Sequence, residues 1–457
     1  MFDYDVIVVG AGPAGTECAR ILGRNNKKVA IIEANQLGGT CLNKGCIPAK
    51  TMLYSAEMYR HARTLDDYGI KIFEDKLQYD FEKMVQKRAD IMNKLRKGVN
   101  YLLATDKVEI INGYASFIDE NTIEVEGKNY TAGKFVLASG GTARKFPNFN
   151  DNDKRYLISD NIFELEGIPK SMVIVGGGPV GVEFATYFAT FGTKVTIVDL
   201  ADHILSFFDA DLGNELAKLY KRRGIDVVTN TTISSIEDDS ELLDITLSNG
   251  EKLEAEYVMS AIGVVPHVKY FELLNLDLEK GRVKVNHDLQ TSKAHIYAIG
   301  DTIGLSGSAY GAEREGLFVA HHILEEYADY YKIDYTSFPD PVFTYPEVGT
   351  CGLSEEECKA KNIDYLTVKV PYLVNAKAQI KSETQGFVKL IADCYGTLLG
   401  VHIIGDQATE IMHMLTIPIM QKMKVSDLRR MVFAHPVVSE IVKEALTKLH
   451  VLILETH

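Results

Sequence analysis

Short apolar runs recur along the chain, and two of them end directly in glycines. Val6-Ile7-Val8-Val9 and Val173-Ile174-Val175 show no polar alternation, the pattern of strands buried on both faces of a parallel sheet. Gly10-Ala11-Gly12-Pro13-Ala14-Gly15 follows the first, and Gly176-Gly177-Gly178-Pro179-Val180-Gly181 follows the second. Each loop opens a helix pattern, Thr16 to Arg24 in the first copy, and then a second apolar run closed by an acid. These runs are Val29 to Ile32 with Glu33, and Val195-Thr196-Ile197-Val198 with Asp199. Each acid stands 18 positions after the last glycine of its loop. The glycines permit a tight turn and close approach to a pyrophosphate, the helix N-terminus attracts its charge, and the acid suits ribose hydroxyls. Two copies at one spacing predict two dinucleotide sites in an α/β chain.

The remaining pattern is more varied. A charged, amphipathic helix is expected from Lys76 to Lys97, running into Gly98-Val99-Asn100-Tyr101-Leu102-Leu103, with strands near Val108 to Ile111 and Thr122 to Val125. Phe135-Val136-Leu137-Ala138-Ser139-Gly140-Gly141 reads as a strand ending in a tight turn, and Ile296-Tyr297-Ala298-Ile299-Gly300-Asp301 as a strand ending in an acid. Ala309 opens a helix, and Ser354-Glu355-Glu356-Glu357 supplies a capping box for another. Gly386 to Leu390 and Gly400 to Gly405 read as strands.

At 457 residues the chain exceeds one ordinary core, so two to four domains are expected. A formal charge of -14 argues against nucleic acid and anionic membrane surfaces as partners. No export signal and no long apolar segment is read, so a cytoplasmic location is expected. Six cysteines in so long a chain are not a secreted disulfide framework. Cys18, Cys351, Cys358 and Cys394 read as structural.

Cys41 and Cys46 differ. They stand in Gly38-Gly39-Thr40-Cys41-Leu42-Asn43-Lys44-Gly45-Cys46-Ile47-Pro48-Ala49-Lys50, a few residues after Glu33 and so close to the first dinucleotide site. In a regular helix, positions five apart are separated by about 8.7 Å at Cα, whereas a disulfide needs less than about 7 Å. A bridge here requires a kinked turn, which Gly45 allows, and Pro48 suits the first turn of a helix starting just after it. Two unrelated buried cysteines are the alternative. A metal is not expected, because no second Cys or His pair stands at ligand spacing.

This stretch resembles the active-site signature of the flavin-dependent pyridine nucleotide-disulfide oxidoreductases. Further segments resemble that family in order: the turn at Ser139-Gly140-Gly141, Ala261-Ile262-Gly263-Val264-Val265-Pro266-His267, the acid Asp301, the helix opening at Ala309, and Ala434-His435-Pro436-Val437-Val438-Ser439-Glu440. Ser139, Gly141, Val264, His267 and Tyr310 depart from its commoner residues, and Ala49 is a further departure. The resemblance implies two Rossmann-like units, one for FAD and one for NAD, the second inserted in the first, and a C-terminal α+β dimerisation domain. Expected limits are 1–148 and 269–340 for the flavin unit, 149–268 for the nicotinamide unit and 341–457 for the last. Gly10, Gly12, Gly15, Glu33, Thr40, Lys50, Ser139, Gly140, Asp301 and Ala309 are the implied FAD contacts. Gly176, Gly178, Gly181, Asp199 and Gly263 are the implied NAD contacts. The acids after Val198, with no arginine beside them, favour NAD over NADP.

In the family the first cysteine, here Cys41, exchanges with substrate, while Cys46 faces the flavin as a charge-transfer thiolate. Lys50 pairs with the acid at Glu183 beside the flavin ring, and His435 with Glu440 is an acid–base pair contributed across a homodimer interface. By residues alone, Glu183 could equally be a first-turn helix acid, Lys50 a surface lysine and His435 a surface histidine. The Ala-x-x-Ala-Glu-x-Glu-Gly pattern from Ala309 to Gly316 is closer to dihydrolipoamide dehydrogenases than to glutathione reductases. The implied partners are a small dithiol or disulfide and the lipoyl-bearing subunits of a 2-oxoacid dehydrogenase complex. An NAD(P)H-dependent reductase of a small disulfide such as glutathione disulfide stays open, as does a flavoprotein scaffold or redox sensor. A mercuric reductase is disfavoured because Val451 to His457 holds no cysteine pair.

Overall fold

The computed structural model describes residues 1–71, 77–238, 240–325 and 332–456. The apolar runs form the centres of two parallel sheets. In the first, strands Glu109–Asn112, Val29–Glu33, Tyr4–Val9, Lys128–Leu137 and Ile296–Ala298 lie side by side in that order, all parallel. Thr122–Val125 and Ala115–Phe117 extend it as an antiparallel edge. The last parallel strand arrives only after the second unit has been completed, so one unit is inserted in the other.

The second sheet repeats the plan, with Ile225–Val228, Lys194–Val198, Ser171–Val175, Tyr257–Ser260 and Tyr156–Ile158 in parallel order. The glycine loops leave the central strand of each sheet and open helices Pro13–Arg24 and Pro179–Thr190. Ile7, Ile31, Ile174 and Ile197 are wholly buried, and each contributes roughly 1.5–3 kcal/mol by leaving water. Helix Ala309–Ile323 packs hard on helix Pro13–Arg24: a Cβ at Gly316 would stand 2.3 Å from the Ala14 carbonyl oxygen. That contact brings the helix opening at Ala309 to the first glycine loop.

The C-terminal region is a five-stranded antiparallel sheet ordered Pro339–Val342, Glu347–Gly352, Leu398–Gly405, Phe387–Asp393, Tyr365–Pro371. Helices Ala408–Met420 and Glu440–Thr456 pack on its strands. The expected capping box at Ser354 is present and opens helix Glu355–Ala360.

Three boundaries differ from the sequence reading. The amphipathic helix runs Phe81–Thr105, not from Lys76, which lies outside the described residues. Asp80 caps it by accepting from the Lys83 amide at 3.0 Å. It continues through Gly98 because Leu103, near its end, is wholly buried, and that burial outweighs the glycine's cost of about 1 kcal/mol. The cysteine-motif helix starts at Cys46 rather than after Pro48, which sits in the first turn, where a missing amide proton costs nothing. The strand expected to reach Asp301 ends at Ala298, and Gly300–Thr302 form a single 3₁₀ turn.

A buried lysine ties the second unit to the C-terminal sheet. Lys389, 2% exposed, places Nζ 2.8 Å from both carboxylate oxygens of Asp209, 2.7 Å from Asp211 Oδ2 and 2.6 Å from Glu355 Oε1. Asp209 is itself the N-cap of helix Ala210–Arg222. Removing one partner of such a group strands the others without a counter-charge. Lys389→Met is therefore expected to cost about 3 kcal/mol and to lower the thermal unfolding midpoint by several degrees; an unchanged midpoint would show that the cluster does not hold the two parts together.

Candidate active site

The cysteines sit where two helices meet. Helix Gly39–Lys44 carries Cys41, helix Cys46–Arg63 begins with Cys46, and Gly45 between them adopts φ −142° and ψ −113°. A Cβ at Gly45 would lie 3.0 Å from the Thr40 carbonyl oxygen, so the kink is crowded as well as bent. Asn43 holds the first helix by donating through Nδ2 to Gly39 O at 2.9 Å and Leu37 O at 3.0 Å. The kink turns the two sulfurs toward each other. Both are free thiols, and each sulfur acts on the acidity of the other.

Their acidities are split. Hydrogen bonding from Cys41, and then the charge of Lys50, pull Cys46 down to about 7 against the opposing effect of burial. Cys41 is pushed up, first by its hydrogen bond to the Cys46 sulfur and then by burial. One cysteine is thus poised as a thiolate and the other as a thiol.

Lys50 stands one turn beyond Cys46 on the same helix face. Its Nζ lies 2.6 Å from Glu183 Oε2 and 5.0 Å from the centre of the Phe343 ring. Glu183, buried in helix Pro179–Thr190, accepts the Phe343 amide through Oε1 at 3.0 Å. The structure thus makes the pair that residues alone left open.

The two glycine loops agree contact by contact. Glu33 accepts from the Ala11 amide at 2.9 Å and the Asn35 amide at 2.8 Å. Asp199 accepts from the Gly177 amide and, at 2.8 Å, from Ala201. The outer glycines are demanded by the chain itself. A Cβ on Gly10 or Gly176 would meet the carbonyl oxygen of Ala138 or Ala261 at 2.2 or 2.4 Å, and one on Gly15 or Gly181 would meet that of Gly10 or Gly176 at 2.0 or 1.9 Å. The middle glycines are different. Gly178 has nothing within 4 Å of its Cβ position, and Gly12 only the Cα of Gly39 at 3.9 Å. Neither helix start has a side-chain cap. Open space in front of uncapped helix amides is a cradle for a phosphate group.

Thr40 is exposed one residue before Cys41, and Ala309 begins its helix behind the Ser308 cap. Asp301 accepts no hydrogen bond among the described residues, and burial pushes its carboxyl up. Ser139 and Gly140 meet His267 at the crossing between the two units, and Gly263, at φ +94°, accepts the Arg144 amide at 2.8 Å.

His435 Nδ1 lies 2.9 Å from Glu440 Oε2, the pair that the family resemblance implies. Its side chain is 69% exposed, and among the described residues no contact joins it to Cys41 or Cys46 within the chain. The histidine is therefore offered outward.

A family model described as pyridine nucleotide-disulphide oxidoreductase matches residues 4–316, and that family's dimerisation domain matches residues 338–446. The chain belongs to this oxidoreductase family. Dihydrolipoyl dehydrogenase of Geobacillus stearothermophilus is 34% identical to this oxidoreductase over 97% of the chain and 95% of that protein. The Mycoplasma pneumoniae protein of the same name is 32% identical over 98% of each. Among solved structures, the HOCl-induced flavoprotein disulfide reductase RclA from Escherichia coli superposes with a TM-score of 0.87 at 25% identity, over 97% of this chain and 99% of that one.

Sequence reasoning missed the partners of Tyr310 and of Glu315. Tyr310 donates to Asp340 Oδ1 at 2.7 Å, and that acid carries no motif. Glu315, wholly buried, accepts from the Gly300 amide at 2.6 Å and from Tyr335 at 3.1 Å, bracing the turn that carries Asp301. Burial pushes Glu315 up to about 7.

In the reduced protein, thiolate forms as pH rises through the Cys46 value, so its ultraviolet absorbance should appear around pH 7. Lys50→Met removes a stabilising charge and should move that appearance upward by about one unit, leaving about a tenth of the thiol ionised at neutral pH instead of about half. An unmoved titration would mean that Lys50 does not act on Cys46.

Proposed function

We propose that the chain is a dihydrolipoyl dehydrogenase, oxidising a dithiol of the dihydrolipoamide class through Cys41 and Cys46 and reducing NAD+. The observation that carries this reading is the split thiol pair standing beside the Lys50–Glu183 ion pair. Similarity to the dihydrolipoyl dehydrogenases supplies the substrate class.

The glycine loops fit dinucleotides, as the open positions in front of Gly12 and Gly178 indicate. On this reading Gly10, Gly12, Gly15, Glu33, Thr40, Lys50, Ser139, Gly140, Asp301 and Ala309 hold FAD. Gly176, Gly178, Gly181, Asp199 and Gly263 hold NAD. When bound, FAD supplies two-electron transfer between the dithiol and NAD+.

The protein's own groups do the rest. A substrate thiolate attacks Cys41 of the oxidised pair; the Cys41–Cys46 bond breaks, substrate sulfur joins Cys41, and Cys46 leaves as a thiolate held by the charge of Lys50. Nδ1 of His435 is taken by Glu440, so Nε2 is free to accept the proton of the second substrate thiol. That sulfur then closes onto the first, releasing the substrate disulfide and Cys41. Glu440 stabilises the imidazolium this creates.

Because His435 faces outward, the reading includes a homodimer in which the His435–Glu440 pair of one subunit serves the cysteines of its partner. It also includes a cytoplasmic location, association with lipoyl-bearing subunits of a 2-oxoacid dehydrogenase complex, and division of the chain near residues 148, 268 and 340.

Cys46→Ser should retain FAD yet lose turnover of dihydrolipoamide; full activity would contradict the dithiol mechanism. His435→Gln should slow oxidation of the dithiol by about a hundredfold while flavin reduction by NADH stays near normal. An equal loss in both half-reactions would contradict the assigned proton transfer.

A further inference from the structure

The second unit is joined to the first by two crossings of the chain, and these pair with each other. Strand Gly141–Ala143 runs antiparallel to Val264–Pro266, with Val264 opposite Ala143 and Pro266 opposite Gly141. A two-stranded ladder of three residues, one of them a proline without an amide proton, is weak by itself. Something else must fix its angle.

We propose that His267 is a positioning residue that latches this hinge and so sets how the nicotinamide unit meets the flavin unit. The inference rests on the NAD-linked flavoprotein reading. Each polar atom of His267 is engaged by residues 139–142. The amide donates to Gly140 O at 3.0 Å, and its carbonyl accepts from Ser139 Oγ at 3.1 Å. Ring Nδ1 lies 3.0 Å from Ser139 O, and Nε2 contacts Thr142 Oγ1. A nitrogen facing a carbonyl must carry the proton, so in the neutral ring Nδ1 donates and Nε2 accepts from Thr142. The ring thereby spans both sides of the first crossing from a position at the end of the second.

The latch also reaches the flavin side. Ser139 Oγ lies 3.2 Å from Thr302 Oγ1, and the wholly buried Thr302 follows Asp301 in the same turn. Close packing keeps the crossings in register, since a Cβ at Gly141 would stand 2.8 Å from Val265 O. Ser139 and His267 bond each other directly, and Gly141 lies opposite Pro266, the residue before His267.

The test uses the FAD-loaded enzyme. In His267→Ala, anaerobic reduction of flavin by NADH should slow about tenfold, because a small misplacement of reacting groups carries a large rate cost. Reduction by dihydrolipoamide, which does not cross the hinge, should stay within about twofold of wild type by the same reasoning. A readout independent of turnover is amide exchange: segments 141–143 and 264–266 should exchange about tenfold faster, with the rest of the chain unchanged. His267→Asn, which keeps an amide donor, should restore part of both effects, and Thr142→Val should reproduce them more weakly. Normal NADH reduction with unchanged hinge exchange would overturn the latch, and so would equal slowing of both half-reactions with loss of FAD. If wild type itself is not reduced by NADH, the functional reading fails along with the latch.

Discussion

Lys50 and Glu183 lie 133 positions apart in the chain and 2.6 Å apart in space, and the active site is organised around that contact. Lys50 leaves the helix that begins with Cys46, Glu183 belongs to the helix opened by the second glycine loop, and the other oxygen of Glu183 holds the Phe343 amide as the chain enters its last region. One ion pair therefore fixes the redox helix, the second unit and the C-terminal segment relative to one another. It also places a cation one helical turn from Cys46, whose thiol that charge makes easier to ionise. Glu183 is largely buried, so the pair is screened far less than a surface bridge. Stability and thiol chemistry converge on it.

The two nucleotide-binding units reach the same local solution separately. In each, a carboxylate at the end of the second strand accepts two backbone amides, one from the glycine loop and one just beyond itself. The acid thereby holds its own loop in shape. The outer glycines are required by the protein's own carbonyls, whereas packing makes no such demand at Gly12 or Gly178, where a Cβ would meet nothing closer than 3.9 Å.

Much of this was legible because it is local. Strand, glycine loop, helix and closing acid fall within about thirty residues of each other, and His435 and Glu440 are five positions apart. Resemblance, not residue pattern, indicated the Lys50–Glu183 pair, because nothing near either residue announces a partner so far away. Lys389 was invisible in the strand from Gly386 to Leu390: a lysine there reads as solvent-facing, and only the fold brings Asp209, Asp211 and Glu355 to it. The same holds for Asp340 and Tyr335, which carry no motif and act through Tyr310 and Glu315. Helix ends were the least legible, since amphipathic periodicity sets a face and not a boundary; Asp80 and Gly45 decided them.

The most direct measurement is a comparison of turnover on the purified flavoprotein: reduction of NAD+ by dihydrolipoamide beside oxidation of NADH and NADPH by glutathione disulfide. Fast turnover with dihydrolipoamide and NAD+, and little with glutathione disulfide, is the predicted result. Turnover with glutathione disulfide and none with dihydrolipoamide would contradict the account.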